Sequence, residues 1–151
     1  MSQQQAMIDK LNAILRHEWT GVAQYSQYGF VVSGMWREVY AKMFHDSASE
    51  SFGHAKQVGD KIVALGGVPT VERNPVQQTT DLREMLTHGL EFEQAAVNLY
   101  TEALEMAEYD RALVVFLEDI LIEEQEGVDD LTKLLREQDA ASGSSSASKA
   151  G

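Results

Sequence analysis

Residues 66–81 read Gly66-Gly67-Val68-Pro69-Thr70-Val71-Glu72-Arg73-Asn74-Pro75-Val76-Gln77-Gln78-Thr79-Thr80-Asp81 and contain both prolines of the chain. Proline has no N–H for the helical ladder and its ring clashes with the preceding turn, so no helix runs through this stretch. The residues on either side are long runs without a breaker, and the chain divides into two halves of two helices each. Upstream, Leu11, Ile14, Leu15, Val22 and Tyr25 recur at helical spacing until Ser33-Gly34, which predicts a first helix to about Val32. Tyr40, Met43, Phe44, Phe52, Val58, Ile62 and Leu65 predict a second, from near Met35 to the stop signal Gly66-Gly67. Downstream, Asp81-Leu-Arg-Glu84 matches a capping box, and Leu86, Leu90, Val97, Tyr100 and Leu104 share a face to about Glu108. Asp110 then caps a fourth helix with Leu113, Leu117, Ile120, Val128, Leu131 and Leu134 on its apolar face.

Nothing alternates like a strand, so the expected fold is an all-α four-helix bundle of helices roughly 45 Å long. Short connections inside each half force antiparallel neighbours. The 16 residues of the proline segment can run the full length of the bundle, which would leave the second and third helices parallel. One domain over residues 1–138 is expected, followed over residues 139–151 by an Ala/Ser/Gly-rich stretch read as a flexible tail.

The charge excludes some functions. Against 12 Lys plus Arg stand 24 Asp plus Glu, a formal charge of −12, which disfavours nucleic acid and anionic membranes and favours cations. The chain has 0 cysteines, so a metal would be held by oxygen and imidazole, as suits iron or manganese. No signal-peptide pattern and no long apolar run are present, so a cytoplasmic, soluble protein is expected.

The candidate chemistry lies where acids interrupt the apolar stripes. Glu18 falls between Leu15 and Val22, Glu93 between Leu90 and Val97, and Glu124 between Ile120 and Val128, while His54 lies four residues before Val58. Each helix thus offers one such residue at mid-height. Carboxylates converging in a core need a proton or a cation, so this group reads as a metal site.

Leu-Arg-His-Glu18-Trp-Thr-Gly-Val-Ala-Gln-Tyr25, His54-Ala, Leu65-Gly-Gly-Val-Pro69 and Ile120-Leu-Ile-Glu-Glu124 resemble bacterioferritins of the ferritin-like superfamily, over about residues 8–136. The resemblance implies a ferritin-like bundle in which two helices each supply a Glu and two supply Glu-x-x-His, binding two irons that are oxidised by oxygen or peroxide. Glu18 and Glu93 match the lone glutamates. In the second helix the chain reads Ser51-Phe-Gly-His54, keeping the His without the bridging Glu, and in the fourth Glu124-Gln-Glu-Gly127, keeping the Glu without the His. Four of the six implied ligands remain: Glu18, His54, Glu93 and Glu124.

Glu50, four residues before His54, is added as a further metal candidate, and Glu123 and Glu126 flank Glu124 in a similar way. A solvated helix face is the plainer reading of all three. Asp46 and Glu50 would face the cavity side of a ferritin-like cage, where the resemblance implies iron-collecting acids. It also implies a haem ligand at position 52, but Phe52 offers none, so haem is not expected. Met35 and Met43 read as core or interface residues, Tyr25 and Tyr100 as core residues able to support a metal, and His17, His45 and His88 as surface or interface histidines.

The expected function is Fe(II) uptake and oxidation at Glu18, His54, Glu93 and Glu124 by a mono- or dinuclear non-haem centre, serving iron storage or detoxification. The alternatives are a non-catalytic shell whose site has degenerated and a small DNA-protecting cage, against which the single Lys149 of the tail and the fit of Glu18, Glu93 and Glu124 to an intrasubunit site argue. Trp19, Tyr28, Phe30 and Trp36 exceed what one core can use, so a homo-oligomer, at least a dimer, is expected.

Overall fold

The computed structural model describes the backbone of residues 2–149 and the side chains of residues 2–136. Four helices follow in order: α1 (Gln3–Val31), α2 (Arg37–Ala64), α3 (Leu82–Met106) and α4 (Arg111–Lys149). No strand occurs among the described residues. The tail expected over residues 139–151 lies outside the described side chains.

Each helix start has a local cause. The Ser2 hydroxyl accepts from the Gln5 N–H at 3.0 Å, an Asp81 oxygen from the Glu84 N–H at 2.9 Å, and an Asp110 oxygen from the Leu113 N–H at 3.2 Å. These bonds satisfy donors that the first turn leaves free. Helix α2 begins after Gly34, which has φ +100°. Its first residue, Arg37, turns its guanidinium back onto the carbonyls of Gly29, Phe30 and Val32, closing the end of α1. Helix α2 stops where Gly66 takes φ +90°, a left-handed conformation that side-chain-bearing residues avoid.

The proline segment is bound along α1 by polar side chains spaced about a turn apart. Asn12 donates to Val68 O and accepts from the Thr70 N–H, and the Trp19 indole donates to Thr70 O. Thr20 accepts from the Asn74 N–H, Gln24 accepts from the Gln77 N–H, and Tyr28 donates to Gln77 O. The segment therefore starts beside the first third of α1 and finishes beside its C-terminal end. Helices α2 and α3 both begin at that end and run parallel, as the length of the segment predicts. Tyr28, expected on an outer flank, is fully buried beneath this segment; its polar tip uses a strap carbonyl, which the helical pattern cannot reveal.

The core is two apolar blocks. One is mostly aliphatic, with Met7, Leu11, Ile14, Val58, Ile62 and Leu117 among its members. The other is rich in rings, with Tyr25, Tyr28, Phe44 and Phe92 packed at centroid distances of 5.5–6.4 Å. The buried polar side chains Glu18, Ser51, His54 and Glu124 come from residues between the two blocks.

Candidate metal centre

The heptad positions of Glu18 and Glu124 turn them inward, where they are 0% and 3% exposed, and His54 is 2% exposed. The three come together: one ligand atom from each lies within 4.8 Å of the others. His54 Nδ1 is 2.8 Å from Glu124 Oε1 and 3.7 Å from Glu18 Oε1. Tyr100 donates its hydroxyl to Glu18 Oε1 at 3.0 Å, while Glu18 Oε2 is buried with no partner. An unsatisfied carboxylate oxygen in a dry core costs free energy unless something cationic meets it. Two anionic oxygen donors, one imidazole and one vacant lone-pair site fit a hard or borderline divalent cation.

Glu93, the fourth expected ligand, stands beside this group rather than in it. Its Oε1 accepts the Tyr25 hydroxyl at 2.7 Å. A Cβ built on Gly127 would lie 3.0 Å from Glu93 Cδ and 3.2 Å from Oε2. The Glu93 carboxylate thus occupies the space that the family's histidine would need. Burial, then the adjoining Glu124, pushes the Glu93 carboxyl up to about 9. Burial and the charge of Glu18 bring Glu124 to about 7, against the pull of His54. Burial by itself would lower His54, but hydrogen bonds and charge from Glu124 and Glu18 overcome it and raise the imidazole to about 11. The metal-free site therefore holds an imidazolium between carboxylates.

The other ring nitrogen of His54 serves a second group. Nε2 is 2.5 Å from Glu123 Oε2 and 3.9 Å from Glu50 Oε1, and one ligand atom from each of these three residues again lies within 4.8 Å of the others. Glu50 joins His54 as its i,i+4 spacing allows. Glu123, read from sequence as a solvated flank of Glu124, is the tightest partner of Nε2. The signal was present in the doublet Glu123-Glu124, whose members point about 100° apart on a helix and can straddle an imidazole.

Tyr25 and Tyr100 are both core side chains and donors to the site acids. Ser51, in place of the bridging glutamate, is 5% exposed and packs towards α1, where a Cβ on Gly21 would come within 2.5 Å of its Oγ. His17, expected at a surface or an interface, is instead buried inside the bundle, stacked on Phe92 at 4.0 Å and bonded to Phe92 O at 2.9 Å. His45 is exposed and His88 half-buried. Asp46 is exposed and paired with Lys42 at 2.7 Å. Met35 is 89% exposed, so it is no core residue, while Met43 packs against the aromatic block. Phe52 is half-exposed beneath the Lys56 ammonium, 4.7 Å from the ring centroid.

The Ferritin family, described as a ferritin-like domain, matches residues 8–140. A nutrient stress-induced DNA-binding protein of Nostoc sp. (strain PCC 7120) is 28% identical over 130 residues, covering 77% of this chain and 70% of that protein. A bacterioferritin of Rhodobacter capsulatus is 32% identical over 98 residues, 64% of this chain, and the match spans only 61% of that relative's length. Among solved structures, a ferritin-like, di-iron-carboxylate protein of Bacillus anthracis str. Ames superposes with a TM-score of 0.86 at 33% identity. It covers 89% of this chain and 99% of its own.

Proposed function

The chain belongs to the ferritin-like domain family, and on that premise we propose that it binds Fe(II) at Glu18, His54 and Glu124 and oxidises it for storage or detoxification. The observation that carries this reading is the fully buried Glu18, whose Oε2 has no partner beside a histidine and a second buried acid. Anionic glutamate oxygens favour Fe(III) over Fe(II), and the neutral imidazole fixes one ligand direction. Oxygen or peroxide would take the electrons. Binding displaces the protons that Glu124 and His54 hold in the metal-free protein, and the exposed Glu50 and Glu123 beside His54 Nε2 can pass them to water. Glu93 completes the donor set if it leaves Tyr25, so one metal held well is the expected stoichiometry. Haem has no place in this reading, because Phe52 offers no ligand atom.

A second reading, a shell with no turnover, has its own support. Ser51 and Gly127 remove two family ligands, and the His54 imidazolium already neutralises part of the acid layer. Anaerobic Fe(II) titration followed by oxygen, monitored by absorbance and by metal per chain, separates the two. Tight uptake followed by ferric absorbance supports oxidation; no saturable uptake leaves the shell.

The molecule is further proposed to be a cytoplasmic homo-oligomer. Phe30, Met35 and Trp36 lie close together in sequence at the α1–α2 turn, 64–89% exposed, large apolar side chains of the kind an interface covers. Nucleic acid is not a proposed partner despite the name of the Nostoc relative, since the charge here is −12. No helix among the described residues is long and apolar enough to cross a membrane.

A further inference from the structure

Two of the 4 histidines line one cavity outside the acid group. His17 and Glu18 are consecutive on α1 and so point about 100° apart. Glu18 enters the core, whereas His17 borders a cavity of about 250 Å³ enclosed by α1, α3 and the strap. Gln24 of α1, Asn74 and Gln77 of the strap, and His88 and Glu91 of α3 complete its polar lining, with no lysine or arginine among the lining residues. The two imidazoles are set up alike. His17, 9% exposed and stacked on Phe92, donates its Nε2–H to Phe92 O at 2.9 Å. A carbonyl can only accept, so the neutral ring keeps its lone pair on Nδ1, which has no hydrogen-bond partner among the described residues. His88 Nδ1 is buried without a hydrogen-bond partner, 3.6 Å from Glu91 Oε2 one turn along α3. A small movement of the exposed Glu91 side chain closes that gap, leaving the proton on Nδ1 and the lone pair on Nε2. An imidazole with one nitrogen tied to a carbonyl or carboxylate is the usual form of a metal ligand, because the tie fixes tautomer and ring orientation and raises basicity.

We propose that this strap-roofed cavity is a second metal site, separate from the Glu18 group, in which His17 Nδ1 and His88 Nε2 hold a borderline divalent cation of the Zn(II) or Cu(II) class. Glu91 orients His88, and water fills the remaining coordination positions. A pair of imidazoles selects such cations, whereas a donor set dominated by carboxylates suits harder ones. The cavity therefore differs in kind from the group of Glu18, His54 and Glu124, which offers two anionic oxygens for each nitrogen. Bound here, a cation joins α1 to α3 beneath the strap. Packing accounts for the stacking of His17 on Phe92, but it gives no reason for a second histidine with its own acid on the facing helix.

The test uses Cu(II), whose frozen-solution EPR spectrum counts directly coordinated nitrogens, and Zn(II), titrated against a competing chelator to give Kd. Co(II), which reports coordination by d–d absorption without redox chemistry, lies below Cu(II) in affinity for nitrogen donors and is kept as the probe of the Glu18 group. The full-length protein, stripped of metal, carries His54→Ala, which removes the imidazole of the other group, so the outcome is independent of the iron reading. One equivalent of Cu(II) should then show two coordinated nitrogens. His88→Ala added to that background should leave at most one and weaken Zn(II) binding about tenfold or more. The His88 side chain is 25% exposed, so this variant keeps the core intact even if a change at the buried His17 does not. Glu91→Ala should keep both nitrogens in the EPR spectrum while weakening Zn(II) about tenfold, because the carboxylate acts through His88. Fewer than two nitrogens in the His54→Ala protein, a Zn(II) affinity unmoved by His88→Ala, or a nitrogen lost instead in His45→Ala overturns the site. An affinity unmoved by Glu91→Ala overturns the orienting role of that acid.

Discussion

Towards Nδ1 of His54 stand Glu18 and Glu124, both with side chains at most 3% exposed, whereas towards Nε2 stand Glu50 and Glu123, with side chains about half exposed. The donor types are the same on the two sides: two glutamates and one imidazole nitrogen. What differs is the alternative open to each acid. Glu50 and Glu123 can be solvated whenever no cation is present, so their geometry expresses little need for one. Glu18 and Glu124 have no water to turn to, and their charge must be met by a proton, an imidazolium or a metal. A metal-like cluster therefore carries weight in proportion to its burial, and the same two residue types mean different things on the two sides of one imidazole.

The comparison breaks most visibly at the residue the two sides share. His54→Ala removes the only nitrogen donor from both groups, and Co(II) affinity should fall on the order of 10 to 100-fold by titration. Equal affinity in parent and variant would show that neither group binds metal. Separate truncations rank the two sides: Glu124→Gln should weaken binding about tenfold, Glu123→Gln by less than about threefold. The reverse order would move the site to the exposed side.

Packing gives the next contrast. Gly21→Ala places a methyl within 2.5 Å of both Phe92 and Ser51, and should cost about 1–3 kcal/mol in urea unfolding of the metal-free protein. No loss would mean that the wall beside the buried acids is softer than it looks.

The pH dependence of the two states should run in opposite directions. In the metal-free protein, Glu124 and Glu93 hold protons up to about 7 and about 9, above a carboxyl in the unfolded chain. Folding is thus favoured at low pH, and that contribution is lost as pH rises through those values. His54, raised to about 11, contributes stability that is complete below the unfolded imidazole value and is lost as pH rises towards 11. All three act together, so Tm of the chelated protein should drop by at least about 4 °C between pH 6 and pH 9. The Tm gain from added Co(II) should grow over the same range, because the ligands must release protons to bind. A metal-free Tm that climbs with pH would contradict the imidazolium-centred site.

The smallest effect is expected one residue from His54. A Cβ on Gly53 would meet nothing within 4 Å, so Gly53→Ala should stabilise α2 by about 0.5–1 kcal/mol and leave Co(II) affinity unchanged. Measured beside Gly21→Ala, it separates helix propensity from crowding at the site.

Hydropathy period and breakers were enough to place the four helices, the caps at Asp81 and Asp110 and the strap from Gly66 to Asp81, because these depend on local backbone chemistry that each segment carries with it. The same periodicity put Glu18, His54 and Glu124 on inward faces, since a residue's face on a helix is fixed by its number. It set Glu93 inward with them and read Glu50, Glu123 and Glu126 as a solvated helix face, but it could not fix where any of these four carboxylates settles. These lie near the edge of the inward face, where a rotation of one χ angle or a small shift in helix register moves a carboxylate from core to water. Only the tertiary structure decided that Glu93 takes the hydroxyl of Tyr25 over the bare Gly127, that Glu123 is the close partner of His54, and that His17 and Tyr28 are buried. Each of these depends on an atom contributed by a distant segment: Phe92 O for His17, Gln77 O for Tyr28, Tyr25 Oη for Glu93 and Nε2 of His54 for Glu123. Polar side chains settle where a hydrogen-bond partner is available, and that partner exists only once the helices and the strap are assembled.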